Sequence, residues 1–146
     1  MIQIRNEGLT LVELMIVLVI LTLLSVLFLQ NLSRFNRESR LEDDCKKIHA
    51  FLQEMRVRAF SKKQTLNIAL EDNGSKLCET VNSICINLQN AFESTGNFTI
   101  TTRGTLSSGN IHVQDLTGSP AYSCVVVSST RIRLGEWDGN TTCSAK

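Results

Sequence analysis

EGLTLVELMIVLVILTLL, residues 7–24, sets an acid, Glu13, near the start of an otherwise apolar run. An ionised side chain in hydrocarbon costs about 3 kcal/mol or more, so such acids normally face a partner. The run extends from Leu9 to Leu29, about 21 residues, with Thr10, Glu13, Thr22 and Ser25 as its polar members. That is close to the ~20 residues a helix needs to cross a bilayer. A polar leader, MIQIRNEG, ends at Gly8 directly before it. A secretory signal has a shorter apolar core and a small-x-small cut site. Here the core is long, contains an acid and continues into QNLSRFN. A plain single-span anchor would account for the length but gives Glu13 no purpose.

From Leu9 to Gln64 there is neither glycine nor proline, so nothing breaks a helix. Beyond Leu29 the apolar positions Leu41, Cys45, Ile48, Leu52, Met55 and Ala59 recur at steps of four and three, one stripe of a 3.6-residue helix. Arg40, Glu42, Lys46, Lys47 and Glu54 take the other faces, and Arg56, Arg58, Lys62 and Lys63 crowd the end, where cations complement the helix dipole. The pattern predicts one helix of about 50 residues, apolar all round in its first half and one-sided in its second. The one-sided half must lie against something, most simply a sheet from the rest of the chain.

After Lys63 the period becomes two. Leu66, Ile68 and Leu70 alternate with polar residues, and EDNGS supplies an Asn-Gly turn. Ile84, Ile86 and Leu88, then Phe98 with Ile100, then Ile111 with Val113, repeat the alternation, and AYSCVVVSSTRIRLG reads as two strands meeting around Ser128 to Thr130. A helix followed by short strands is an α+β layout with an antiparallel sheet. The 15 Lys and Arg balance 14 Asp and Glu, which argues against a generally basic nucleic-acid binder or an acidic tail. Of the five cysteines, Cys78, Cys85, Cys124 and Cys143 fall in the strand region, a distribution suited to an oxidising compartment. They allow three pairings; Cys78–Cys85 with Cys124–Cys143 is favoured because both loops stay short. Cys45 on the helix stripe reads as a buried thiol, with a bond to the head as its rival.

GLTLVELMIVLVILTLL resembles the class III signal of type IV pilins and type II secretion pseudopilins. The resemblance implies cleavage between Gly8 and Leu9 by a prepilin peptidase, methylation of Leu9, and a role for Glu13 in assembly. In that family the acid is buried in a helical bundle and neutralises the N-terminal amine of a neighbouring subunit. Leu9 replaces the usual phenylalanine, Glu7 precedes the glycine where a base is common, and residue 30 is Gln where many major pilins have proline. Arg34, Arg37 and Arg40 follow the run on its expected outer side, against the positive-inside rule. The motif is given precedence over that rule.

The end of the chain resembles the GspH/FimT group of minor pilins and pseudopilins, whose last strands often contain Gly-Arg-x-Arg. Arg131 and Arg133 fit that pattern, with Thr130 in place of the glycine. In the FimT type such arginines imply binding of double-stranded DNA during natural transformation, and Arg103 is a third candidate. Phosphate contacts of this kind are electrostatic and salt-sensitive. Glu136 and Asp138 lie close enough in sequence to pair with the arginines instead, and Trp137 suits a sheet-edge anchor better than a base-stacking ring.

No nucleophile motif, phosphate loop or acid–base constellation is present, so no enzyme activity and no cofactor are expected. Cys45, Asp44 and His49 could suggest a metal, but no second pair stands at ligand spacing, and none is expected. The expected organisation is a leader at 1–8, a membrane and assembly segment at 9–29, an amphipathic helix at 30–63 and a β-rich head at 64–146. What the resemblance implies is a fibre subunit near the tip of a pilus or pseudopilus. Its helix would pack on other pilins, and it would first span the inner membrane with its head in the periplasm.

Overall fold

The computed structural model describes residues 10–116 and 118–146, and for residues 27–31 the backbone without the side chains. Its first element, α1, is a single helix of 52 residues, Leu11–Lys62. Thr10 caps it: the Glu13 N–H donates to Thr10 Oγ1 at 3.3 Å and the Leu14 N–H to the Thr10 carbonyl at 3.2 Å. At the other end no glycine is available, and Lys63 adopts the left-handed conformation (φ 52°). The Gln64 N–H then reaches back to the Ala59 carbonyl at 3.2 Å, the long bond of a Schellman motif.

The chain divides into two compact units, one ending at Asn36 and one running from Arg37 to Lys146. In the first unit the large apolar side chains from Leu11 to Val26 are exposed along the helix. Among the described residues no helix is long and apolar enough to cross a membrane. The run from Leu9 to Leu29 begins before the described residues and ends among residues 27–31, so the bilayer assignment falls partly outside them.

Among the described residues the second unit carries nine strands: β1 (Leu66–Glu71), β2 (Lys76–Glu79), β3 (Ile84–Asn87), β4 (Phe92–Ser94), β5 (Phe98–Ile100), β6 (Gly109–Val113), β7 (Cys124–Val127), β8 (Ile132–Trp137) and β9 (Cys143–Ala145). All pairings are antiparallel. The strands form two sheets, ordered β3-β2-β1-β5 and β4-β6-β7-β8-β9, where the alternation alone had suggested one. The chain changes sheet three times, between β3 and β4, between β4 and β5, and between β5 and β6. Alternation tells which face of a strand is buried but not which strand lies beside it, and this is where the expectation fell short. The Asn-Gly turn closes β1 onto β2 as a four-residue loop in which Asp72, Asn73 and Gly74 all have positive φ. A side chain at Gly74 would collide with the Phe92 backbone.

One apolar core joins the helix to both sheets. Leu41, Cys45, Ile48, Leu52, Met55 and Ala59 are each at most 4% exposed and share a cluster with Leu66, Ile68 and Ile100 of one sheet and Ile111, Val125 and Val127 of the other. A fully buried Leu or Ile contributes about 2 kcal/mol relative to an exposed one. Cys78 is bonded to Cys85 and Cys124 to Cys143, while Cys45 is a free, buried thiol.

Among the described residues two carboxylates are wholly buried, Asp44 and Glu79. Asp44, beside the stripe, accepts the backbone N–H groups of Gln89 and Asn90 at 2.8 and 2.9 Å and the Asn90 side-chain amide at 2.9 Å. Its other oxygen meets Lys47 Nζ at 3.2 Å. Asp44 thus ties the helix to the link between β3 and β4. Glu79 folds back at the end of β2 to accept the Val81 and Asn82 N–H groups at 2.6 and 2.9 Å, organising the turn into β3.

Replacing Asp44 with alanine strands those donors in the interior. Urea denaturation of the head from Arg37 onward is expected to show a loss of about 2–4 kcal/mol. A loss under about 1 kcal/mol would mean that water substitutes for the carboxylate.

Burial, with repulsion from Asp44 and Glu42, pushes the Cys45 thiol up to about 12. The thiolate is the reacting species, so alkylation at pH 8 should spare Cys45 in the folded protein and modify it once the chain is unfolded. Rapid labelling of native protein would contradict its burial.

Candidate assembly and anion-binding sites

The first site is the motif at the start of α1. Gly8 and Leu9 lie outside the described residues. Glu13 is described: it is an exposed residue in the first helical turn, where a negative charge complements the helix dipole. Thr10 and Glu13 together read as the T-x-x-E signature of a helix start, and Thr10 provides its half of that box through the Glu13 N–H. Three residues on from the cap, the acid lies exposed in the first turn.

The second site is the arginine pair. Arg131 ends the β7–β8 turn, which the Ser128 N–H closes on the Arg131 carbonyl at 2.8 Å; Arg133 lies within β8. Both are exposed, whereas Ile132 between them is buried. This is the alternation of a strand with one wet face. The acids that could have neutralised them are engaged elsewhere. Glu136 pairs with Lys146 at 2.8 Å. Asp138 accepts the N–H groups of Asn140, Thr141 and Thr142, each at 2.9 Å, and these bonds hold its carboxyl below the usual range. Among the described residues neither Arg131 nor Arg133 has an ion-pair partner. Trp137 is nearly buried and stacks on His112, ring centroids 3.8 Å apart, so its ring is taken up by the sheet surface.

Arg103 sits exposed at the tip of the turn that follows β5, closed by the Gly104 N–H to the Thr101 carbonyl at 2.8 Å. Arg56 of α1 links this turn to the other arginines. Its guanidinium donates to the Thr130 carbonyl, next to Arg131, at 2.8 Å, while a side chain placed at Gly104, next to Arg103, would meet its Cγ and Nε. One helix residue therefore borders both turns. His49, two helical turns earlier, meets the Ile132 carbonyl at 3.3 Å. Together the two side chains satisfy the stretch of the β7–β8 turn and β8 that lies before the β9 pairing.

The trio considered for a metal is spread over separate tasks: His49 on Ile132, Asp44 on Gln89 and Asn90, and Cys45 with its sulfur 3.8 Å from the Tyr122 carbonyl. Glu71 lies beside Cys78 and Cys85, but their sulfurs are joined to each other and are not thiolate ligands.

Comparison with known proteins falls on the two ends of this description. Residues 4–29 match the prokaryotic N-terminal methylation motif. No curated protein matches the sequence. Among solved structures, the type IV minor pilin FimU of Pseudomonas aeruginosa is similar in fold, with a TM-score of 0.54 at 20% identity, over 68% of this chain and 91% of that one. The chain thus joins a prepilin-type methylation motif to a type IV pilin-like fold: one long N-terminal helix and an antiparallel β head.

Proposed function

We propose that the chain is a structural subunit of a type IV pilus or type II secretion pseudopilus, of the minor kind found near a fibre tip. The observation that carries this reading is the conjunction just described: a methylation motif at residues 4–29 and a pilin-like helix and head behind it. In this reading the chain is held in the inner membrane by residues 9–29 with its head in the periplasm. A prepilin peptidase removes residues 1–8, and Leu9 is methylated. The processed helix then packs among those of other pilins, and the chain acts by assembly and carries out no chemistry of its own. Glu13, one helical turn from the new N-terminus, offers its carboxylate to the amine of an adjacent subunit in a low-dielectric bundle.

A second reading, favoured by the unpaired state of Arg131 and Arg133, makes the head a DNA-binding module. Two exposed guanidiniums, one ending the β7–β8 turn and one in β8, with Arg103 on a nearby turn, could contact phosphates of double-stranded DNA without regard to sequence.

Co-expression with a prepilin peptidase should yield a chain that begins at methylated Leu9, and Glu13→Leu should be cut equally well yet fail to join partner pilins in crosslinking. An uncut N-terminus would overturn the assignment, and normal incorporation of the variant would remove Glu13 from assembly.

For the second reading, the isolated head should shift duplex DNA at low salt, and replacing Arg131 and Arg133 with alanine should abolish the shift and lower the salt slope by about 2. A head that shifts no DNA at low salt leaves the arginines without that role.

A further inference from the structure

We propose that the cleft between the last turns of α1 and the Thr101–Gly104 turn docks a segment of another protein chain presenting a carboxylate beside an aliphatic or aromatic side chain. The cleft is shallow and open to solvent, with a volume of about 400 Å³, and is lined by Gln53, Arg56, Val57, Phe60, Arg103 and Gly104. That volume suits one or two side chains.

Its floor is apolar, with Lys63 Nζ over one face of the Phe60 ring. Val57 and Phe60 are 67% and 55% exposed on a helix whose opposite stripe is completely buried. They stand three apart, neighbours on one face, and Gln53 precedes Val57 by one turn on the same face. The apolar stripe that builds the core has no use for them.

Its rim is cationic. Arg103 has no ion-pair partner among the described residues. Arg56 is fixed by the Thr130 carbonyl and keeps donors to spare, since a guanidinium carries five N–H groups. The nearby acid, Glu54, is already engaged by Arg58 at 3.0 Å. Two guanidiniums beside an apolar floor complement a carboxylate held next to a greasy group, and an arginine already held in place loses less freedom on binding.

The same geometry speaks against a nucleic acid in this cleft. Lys63 Nζ lies 4.1 Å from the centre of the Phe60 ring and covers a face that a base would need for stacking. The inference does not depend on the chain being a fibre subunit.

The test uses the full chain in the cells that make it, with a photo-crosslinking phenylalanine analogue in place of Val57. Mass spectrometry of the adducts should identify one segment of another protein, with Asp or Glu within a few residues of an aliphatic or aromatic side chain. Arg103→Glu should lower the yield about tenfold or more, and reversing the charge of the partner's acid should restore it. Restoration separates a lost contact from a lost fold, because a misfolded head could not be rescued by its partner. Adducts with nucleic acid, lipid or a second copy of this chain, a yield indifferent to Arg103→Glu, or no adduct at all would each overturn the proposal. A chain that crosslinks as expected but is not cut at Gly8 would sink the fibre reading and leave this one standing.

Discussion

The stripe from Leu41 to Ala59 has to satisfy two sheets at once, and the head is organised around that demand. Neither sheet is large, and the strands are only three to six residues long. Small sheets need a common apolar wall to become stable. The helix provides it, with residues such as Ile48, Leu52 and Met55 in contact with one cluster drawn from both sheets. Asp44 fixes where along the helix the β3–β4 link lies, and Arg56 and His49 fix the turn and strand at the opposite side of the sequence. These polar bonds add directionality to a packing force that has none of its own.

The distribution of charge follows from the same arrangement. Cations placed at the end of α1 complement its dipole, yet they outnumber what the dipole requires. Arg58 is used within the helix by Glu54, and Arg56 is used across the head by Thr130. Arg103 and Arg131 sit on the two turns that flank Arg56. The net charge of the whole chain, +1, conceals this concentration because acids elsewhere offset it. Composition averages over a surface, and local fields do not.

The helix was legible because its signals are dense: no breaker from Leu9 to Gln64, and a stripe that repeats without a fault. The strands with clean alternation, such as β1 and the β7–β8 hairpin, were legible for a like reason. β2, β4 and β9 were not, because KLCE, FES and CSA carry no pair of large apolar residues at alternate positions. Division into two sheets was hidden, since pairing is decided by contacts far apart in sequence. Asp44 was hidden too: it reads as one more charge between Asp43 and Cys45, and its partners at Gln89 and Asn90 lie 45 and 46 residues away. At the candidate sites, the motif around Gly8 and Glu13 stood out in the residues alone. The cleft at Phe60 did not, because a lone aromatic on a polar helix face means little until a turn closes over it.

The shared helical wall also dictates when the head can fold. Its strands arrive in order of synthesis, and the stripe meets some of its partners, Val125, Val127 and Ile132, only after β7 and β8 have been made. Contacts of such long sequence separation slow folding and leave apolar surface bare in the meantime. During that interval the helix is an open hydrophobic face waiting for strands. The last strand, β9, is joined back to β7 by Cys124–Cys143, so oxidation is the step after which the late-arriving strands can no longer peel away.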